Sequence, residues 1–382
     1  MFATGLRCFR CGRVQPFTPS AYLCPHCGAA DDDPGILDVL YDYDAIAPAF
    51  EQEREKQRPD LFRFLPLLPV NAVGPVLPAG GTPLVAAPRL AQRLGLAQLY
   101  LKDETRNPTR CLKDRATAVG VTMALEQGYR TLYCASAGNA AISLAGFCAH
   151  LGLACQVFVP HAVSTTRLRW LQRYGAIIHI SDGDYDQAYA EAEAAGQEQG
   201  WYSRNCACNP FLVEGKKTVA LEIGEQLHWQ VPDMVVAPVG DGCTLGAIGK
   251  GFRELRRLGL TDRLPRLLGV QAETVQPVVS RYHGVKAGAD CGPTAAASID
   301  VKKPRNYLRL RAELDASSGS MLAVSDAEME EARCLLACEA GLVAELTSAA
   351  SLAALFQLAR QESLQGKTAV LVITGGRNDG DS

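Results

Sequence analysis

The chain has 382 residues, of which 48% are hydrophobic and 21% charged, enough apolar material to bury a sizeable core. Its 38 basic and 41 acidic side chains leave a net charge of −3, which gives no global field for gripping a nucleic-acid backbone. Glycine and proline, at 35 and 21 residues, stay near ordinary usage and exclude collagen-like and low-complexity classes. At ~150 residues per domain the length suggests two or three domains, or one large α/β domain with an appendage. No apolar run approaches the ~18 residues of a membrane span. The opening MFATGLRCFRCG carries no signal-peptide stretch. A cytoplasmic protein without membrane or nucleic-acid partners is expected.

The first residues stand apart. Cys8 and Cys11, then Cys24 and Cys27, form two C-x2-C pairs, each followed by a glycine, Gly12 and Gly28. Two tight turns delivering two thiolates each suit one tetrahedral zinc ion, so residues 1–35 are expected to form a zinc ribbon. His26 reads as a turn residue and Asp31 to Gly35 as a linker. Cys134, Cys148, Cys155, Cys334 and Cys338 read as small buried hydrophobes. Glu51 to Arg58 reads as a solvated helix face.

From about Pro83 short apolar runs alternate with helical stretches. Strands are expected at Leu132–Cys134, Cys155–Val159, Ala176–Ile180, Met234–Val239, Leu267–Gln271 and Ala369–Ile373. Helices are expected after Asn139 to about His150, at Thr165–Tyr174, and near Leu245–Leu258, Asp326–Ala340 and Ser348–Arg360. The alternation predicts an α/β fold with parallel-containing sheets.

Three loops combine a glycine-bearing or polar turn with the start of a helix, as loops lining the crevice of an α/β sheet do. In Asn107-Pro108-Thr109-Arg110-Cys111-Leu112-Lys113-Asp114-Arg115, the lysine is either a surface residue or a low-pKa amine fit for Schiff-base chemistry. Ser136-Ala137-Gly138-Asn139-Ala140 is either a plain helix cap or a carboxylate-binding helix N-terminus. Gly240-Asp241-Gly242-Cys243-Thr244 follows a strong strand, and its glycines permit close approach to a phosphate.

The order and spacing of these loops resemble the fold-type II pyridoxal-phosphate enzymes, most closely the threonine synthase family. Further markers are Gly81-Thr82-Pro83-Leu84, Leu101-Lys102-Asp103-Glu104, Asn209-Pro210, Glu214 to Thr218, Gly269 to Glu273, Val324-Ser325-Asp326, Thr347 to Leu352 and Thr374-Gly375-Gly376. The paired cysteines also look like the ribbon of many such enzymes. The resemblance implies that Lys113 carries the cofactor and serves as general base and acid, with Asn139 on the ring hydroxyl. It implies that Ser136 to Ala140 bind the substrate carboxylate, that Gly240 to Thr244 cradle the cofactor phosphate, and that Thr374 meets the pyridine nitrogen with a neutral hydroxyl. A cation set of Lys102, Arg110 and Arg167 would hold a distal anion of the substrate. It further implies a catalytic region over residues 36–382 with a smaller movable subdomain at about 116–205, and a homodimer.

Departures bear on the substrate. Where the family commonly reads N-P-T-G-S-F-K-D-R-G, this chain has Arg110, Cys111, Leu112 and Ala116, and its T-G-H-G ending reads Thr374-Gly375-Gly376-Arg377. The expected reaction is that of O-phospho-L-homoserine and water giving L-threonine and phosphate. The alternatives are β-replacement or elimination on another amino acid, of the cysteate-synthase or ammonia-lyase kind, and, in a different class, an idle regulator or zinc-ribbon nucleic-acid binder. Lys303 to Arg311 reads as a solvated helix face, Cys206 and Cys208 as structural, and the six histidines form no metal-hydrolase pattern.

Overall fold

The structure, a computed structural model, describes residues 1–29, 33–285 and 292–376. The expected linker positions Asp31 and Asp32 and the terminal Arg377 lie outside the described residues. The chain forms two compact units, Met1–Gly28 with Gly35–Gly81 and Asn107–Lys216, and Ala29–Pro34 with Thr82–Arg106 and Lys217–Ser382.

In the first unit an antiparallel sheet pairs Ala3–Cys8 with Val14–Pro16 on one side and Leu37–Tyr41 on the other. The ribbon therefore takes its third strand from residues beyond the paired cysteines. A second sheet, all parallel, runs in the order Ile177–Ile180, Ala154–Val159, Thr131–Ala135, Tyr202–Ser203. Its two central strands are apolar on both faces because helices cover them, the usual condition of parallel strands. The helix Asn139–Leu151 buries Ala141 to Cys148 without interruption and stops at Gly152, whose φ of +64° gives the left-handed C-terminal turn. The ribbon packs within this unit: Phe17 lies edge-on to Phe211 at 5.6 Å, Tyr22 to Tyr202 at 6.0 Å, and Tyr41 donates to Glu214 Oε2 at 2.9 Å.

The second unit holds a six-stranded sheet in the order Ser320–Val324, Arg266–Ala272, Met234–Pro238, Thr368–Ile373, Gln98–Asp103, Leu84–Ala86. Only the last pair is antiparallel. The helix Leu346–Gln361 buries Ala349, Ala350, Ala353 and Ala354 beside Leu352, Leu355 and Leu358, the small residues letting it lie close to the sheet. Each fully buried leucine contributes ~1.5–3 kcal/mol relative to an exposed one. Ser325 and Glu328 form a reciprocal capping box that starts the helix Asp326–Ala340 where the sequence predicts it.

Three expectations fail here. Cys334 and Cys338 are exposed rather than buried, because they fall on the solvent side of the helix Asp326–Ala340. The basic stretch around Tyr307 is no simple solvated face, since Tyr307 and Arg309 are buried in the helix Tyr307–Ala316. Likewise Glu53 is buried and accepts from Lys56 at 2.6 Å and Arg58 at 3.3 Å, so the run from Glu51 folds partly inward. Among the described residues no helix is long and apolar enough to cross a membrane.

Candidate active site

In the second unit the strands Met234–Pro238 and Thr368–Ile373 are parallel neighbours, so the turns leaving their carboxyl ends share one edge of the sheet. The first turn is Gly240 to Thr244. Gly242 has a φ of +94°, and a Cβ there would stand 2.9 Å from the carbonyl of Asn306, so the position requires glycine. It opens the 15-residue helix Cys243–Arg257, whose start no side chain caps. Uncapped backbone N–H groups and the helix dipole suit an anion. The side chain of Asp241 is committed elsewhere: it accepts from Arg305 N at 2.5 Å, Asn306 Nδ2 at 2.9 Å and Cys243 Sγ at 3.3 Å. Burial pushes its carboxyl above the ordinary range, against those hydrogen bonds. Asp241 thus ties the turn to the 305–306 segment, and only its backbone is offered to an anion.

The second turn begins at Thr374, whose Oγ1 lies 3.1 Å from Ser348 Oγ. Ser348 also donates to Gly375 O at 3.0 Å and accepts from Gly375 N at 2.9 Å. The hydroxyl pair itself is neutral, while the carboxylate of Glu345 lies against Gly375, 2.8 Å from where a Cβ there would stand. Ser348 lies inside the T-S-A-A-S-L motif, so the signal was in the sequence although its role was not.

In the first unit Thr131–Ala135 leads into Ser136 to Ala140. Ser136 Oγ accepts from Gly138 N at 3.2 Å, and the helix begins at Asn139 with Gly138 as an N-cap that supplies no side-chain acceptor. The loop is therefore not a plain side-chain cap. Asp114 pins the lysine loop by accepting from Thr109 N at 2.6 Å and Thr109 Oγ1 at 2.5 Å. Lys113 is the first residue of the helix Lys113–Glu126 and is partly buried. Burial first, then the charges of Lys216 and Arg204, hold its amine below the ordinary lysine value, while the thiols of Cys206 and Cys111 act the other way. Arg110, three residues earlier, is exposed with a left-handed φ of +64°. Arg167 is partly buried in the first turn of the helix Thr165–Arg173.

Lys102 is removed from the anion-binding set. Its side chain is wholly buried, and its ammonium donates to Glu222 Oε2 at 2.7 Å, Thr82 O at 2.7 Å and Gln226 Oε1 at 2.9 Å. Three donors have three acceptors, and none is left for a ligand. Arg204, Thr117 and Ser143, which surround the base of Lys113, carry no motif by which sequence reasoning could have found them.

The four ribbon sulfurs all lie within 4.8 Å of one another, with Cys8–Cys27 and Cys11–Cys24 at 3.9 Å. A zinc tetrahedron with bonds of ~2.3 Å has sulfur–sulfur edges of ~3.8 Å, so the cluster has the size of such a site and not of a disulfide. A Cβ on Gly35 would meet Cβ of Cys27 at 2.7 Å and of Cys24 at 2.9 Å, so glycine is what lets the chain pass the second knuckle.

Residues 76–375 match the family of pyridoxal-phosphate dependent enzymes. The chain is 36% identical to threonine synthase of Methanocaldococcus jannaschii over 379 residues, covering 97% of this chain and 91% of the relative. With threonine synthase of Methanosarcina acetivorans the identity is 35%, again over 97% of this chain and 91% of the other. The chain belongs to the threonine synthase family of fold-type II pyridoxal-phosphate enzymes. In fold alone it is similar to serine racemase from Dictyostelium discoideum, at a TM-score of 0.67 and 18% identity over 88% of this chain and 98% of that one. Processed threonine deaminase isoform 2 from Solanum lycopersicum gives 0.67 and 19% over 78% and 80%. The protein is a pyridoxal-phosphate-dependent lyase, and its residues fit that cofactor: a glycine turn no Cβ could enter, an uncapped helix start for the phosphate, and a lysine amine held toward its neutral form.

Proposed function

We propose that this enzyme is a threonine synthase, converting O-phospho-L-homoserine and water into L-threonine and phosphate. The observation that carries the reading is the similarity to threonine synthases along 97% of the chain, ribbon included. In this reading Gly240 to Thr244 hold the cofactor phosphate with backbone N–H groups, Asn139 bonds the ring hydroxyl and Thr374 the ring nitrogen. Ser136 to Ala140 hold the substrate carboxylate. The bound cofactor supplies an electron sink for the amino acid's Cα. Lys113 takes the Cα proton on its amine and returns a proton at the end, its burial holding the amine below the ordinary lysine value. A proton leaves the β carbon as phosphate departs from the γ carbon, a proton is then taken up at the γ carbon, and water adds its hydroxyl at the β carbon. Arg110 and Arg167 receive the distal phosphate, as guanidinium groups suit. Cys8, Cys11, Cys24 and Cys27 hold a structural zinc ion. The enzyme works in the cytoplasm as a homodimer.

A second reading keeps the cofactor and changes the amino acid, and Arg110 favours it: an arginine with a left-handed backbone occupies the position where the family motif has glycine. A panel of O-phosphohomoserine, O-phosphoserine and threonine, followed by phosphate and ammonia release, separates the two. Threonine formed from O-phosphohomoserine at the highest kcat/KM supports the first. Turnover only of another amino acid moves the assignment to β-replacement or elimination.

A further inference from the structure

Arg204 follows the strand Tyr202–Ser203, beside the strand that leads into Ser136. It is 2% exposed. Its Nε and Nη2 both donate to Thr117 Oγ1 at 3.1 Å, Nη2 also reaches the carbonyl of Lys113 at 3.1 Å, and Nη1 meets Cys206 Sγ at 3.5 Å. These acceptors are a hydroxyl, a carbonyl and a sulfur. Buried arginines are ordinarily paired with carboxylates. The acid of this network, Asp114, feels the arginine's charge but turns its oxygens to Thr109 and Ser143. The guanidinium is thus bonded to the backbone of Lys113 while, among the described residues, no carboxylate takes a hydrogen bond from it.

We propose that Arg204 is a positioning residue for Lys113, its guanidinium fixing the first turn of the helix and setting a permanent positive charge beside the lysine so that the amine remains an available base. Arginine suits this because it stays charged when buried, whereas a lysine there would shed its proton. Thr117 Oγ1 accepts two of the guanidinium's hydrogen bonds and lies 2.7 Å from Ser143 Oγ, while the bond to the Lys113 carbonyl holds the charge beside the lysine independently of it. Four other groups face the amine's surroundings within this unit. Lys216, from the helix Phe211–Gln226, adds a second cation, Cys111 and Cys206 oppose both, and burial pushes the Asp114 carboxyl up while its hydrogen bonds to Ser143 and Thr109 and the charge of Arg204 pull it back. The functional weight of the inference rests on the reading of Lys113 as the cofactor-bearing lysine.

The test reads the charge of the amine without cofactor or turnover. The full-length chain, stripped with hydroxylamine, is labelled with trace acetic anhydride across a pH series, and acetylation at Lys113 is followed by peptide mass. If Lys113 never carries a cofactor, the functional reading fails while this titration still answers. Arg204→Met and Arg204→Gln, two neutral variants of different polarity, are expected to raise the midpoint by about one pH unit. Thr117→Val, which removes a hydrogen-bond partner and keeps the charge, should stay near wild type. An unchanged midpoint in either folded Arg204 variant overturns the proposal. So does a Thr117→Val shift as large as theirs, which would make packing rather than charge the cause.

Discussion

Lys102 and Glu222 form an ion pair 2.7 Å long with both side chains fully out of contact with solvent. The lysine comes from the strand Gln98–Asp103 and the glutamate from the helix Phe211–Gln226. Removing one partner of such a pair strands the other charge in a dry interior, at a cost of ~3–5 kcal/mol. Lys102→Met should therefore lower the urea midpoint sharply. In any folded fraction, the ratio of affinities for distal-anion and neutral amino acids should be unchanged. A selective loss of the anionic ligand would return Lys102 to the binding site.

Lys113→Ala should abolish turnover of every amino acid and the absorbance of bound cofactor. In wild type, borohydride reduction should add the mass of the reduced cofactor to the peptide holding Lys113 and to no other. Mass appearing on a different lysine would refute the assignment.

Depression of the Lys113 amine also makes a stability prediction. The unfolded chain binds a proton that the folded one resists, so between the folded and the ordinary lysine pKa unfolding takes up a proton. Stability of the cofactor-free chain then rises with pH through that window. Lys113→Met should flatten the rise, as read from urea unfolding at a series of pH values. An identical slope in the variant would show that other groups cause it.

Among the described residues, five non-glycine positions have left-handed backbone: Gln57, Arg110, His228, Trp229 and Ser318. Four follow directly on the helices Tyr43–Glu55, Phe211–Gln226 and Tyr307–Ala316, where such a turn ends a helix in the ordinary way. Arg110 instead precedes a helix. Arg110→Gly removes ~1–2 kcal/mol of strain and adds ~0.5–1 kcal/mol of chain entropy cost, so a net gain of ~0.5–1 kcal/mol is expected. If its guanidinium holds a distal anion, the same variant should lose at least tenfold in affinity for O-phosphohomoserine and little for a neutral amino acid. A variant that is more stable and equally selective would leave Arg110 a surface residue.

The ribbon should bind one zinc ion per chain, measured by atomic emission, and Cys24→Ser should reduce it severely. Because Phe17 and Tyr22 rest on Phe211 and Tyr202, chelation should also lower the thermal midpoint of the whole chain. Full stability without zinc would make the cysteines incidental.

The strand–turn–helix loops were legible because each is written locally: a strand of apolar residues, a glycine or small polar turn, then helix formers, as at Met234 to Leu245. Asp326–Ala340 was legible for the same reason, its capping box lying within four residues. What stayed hidden depends on residues far apart in sequence. Nothing near Lys102 announces Glu222, and nothing near Lys113 announces Arg204. Cys334 and Cys338 were misjudged because residue type indicates burial only on average, while the face of a helix decides it in each case.

The hydroxyl of Thr374 is not tied to one direction. Either oxygen can supply the hydrogen of the contact between Ser348 and Thr374. The carbonyl of Gly375 accepts from the backbone N–H of Glu345 at 3.1 Å as well as from Ser348, so it stays satisfied when the Ser348 hydrogen turns to Thr374. Thr374 can therefore offer a hydrogen or a lone pair to whatever stands beyond it, and a group meeting this edge finds a partner in either protonation state.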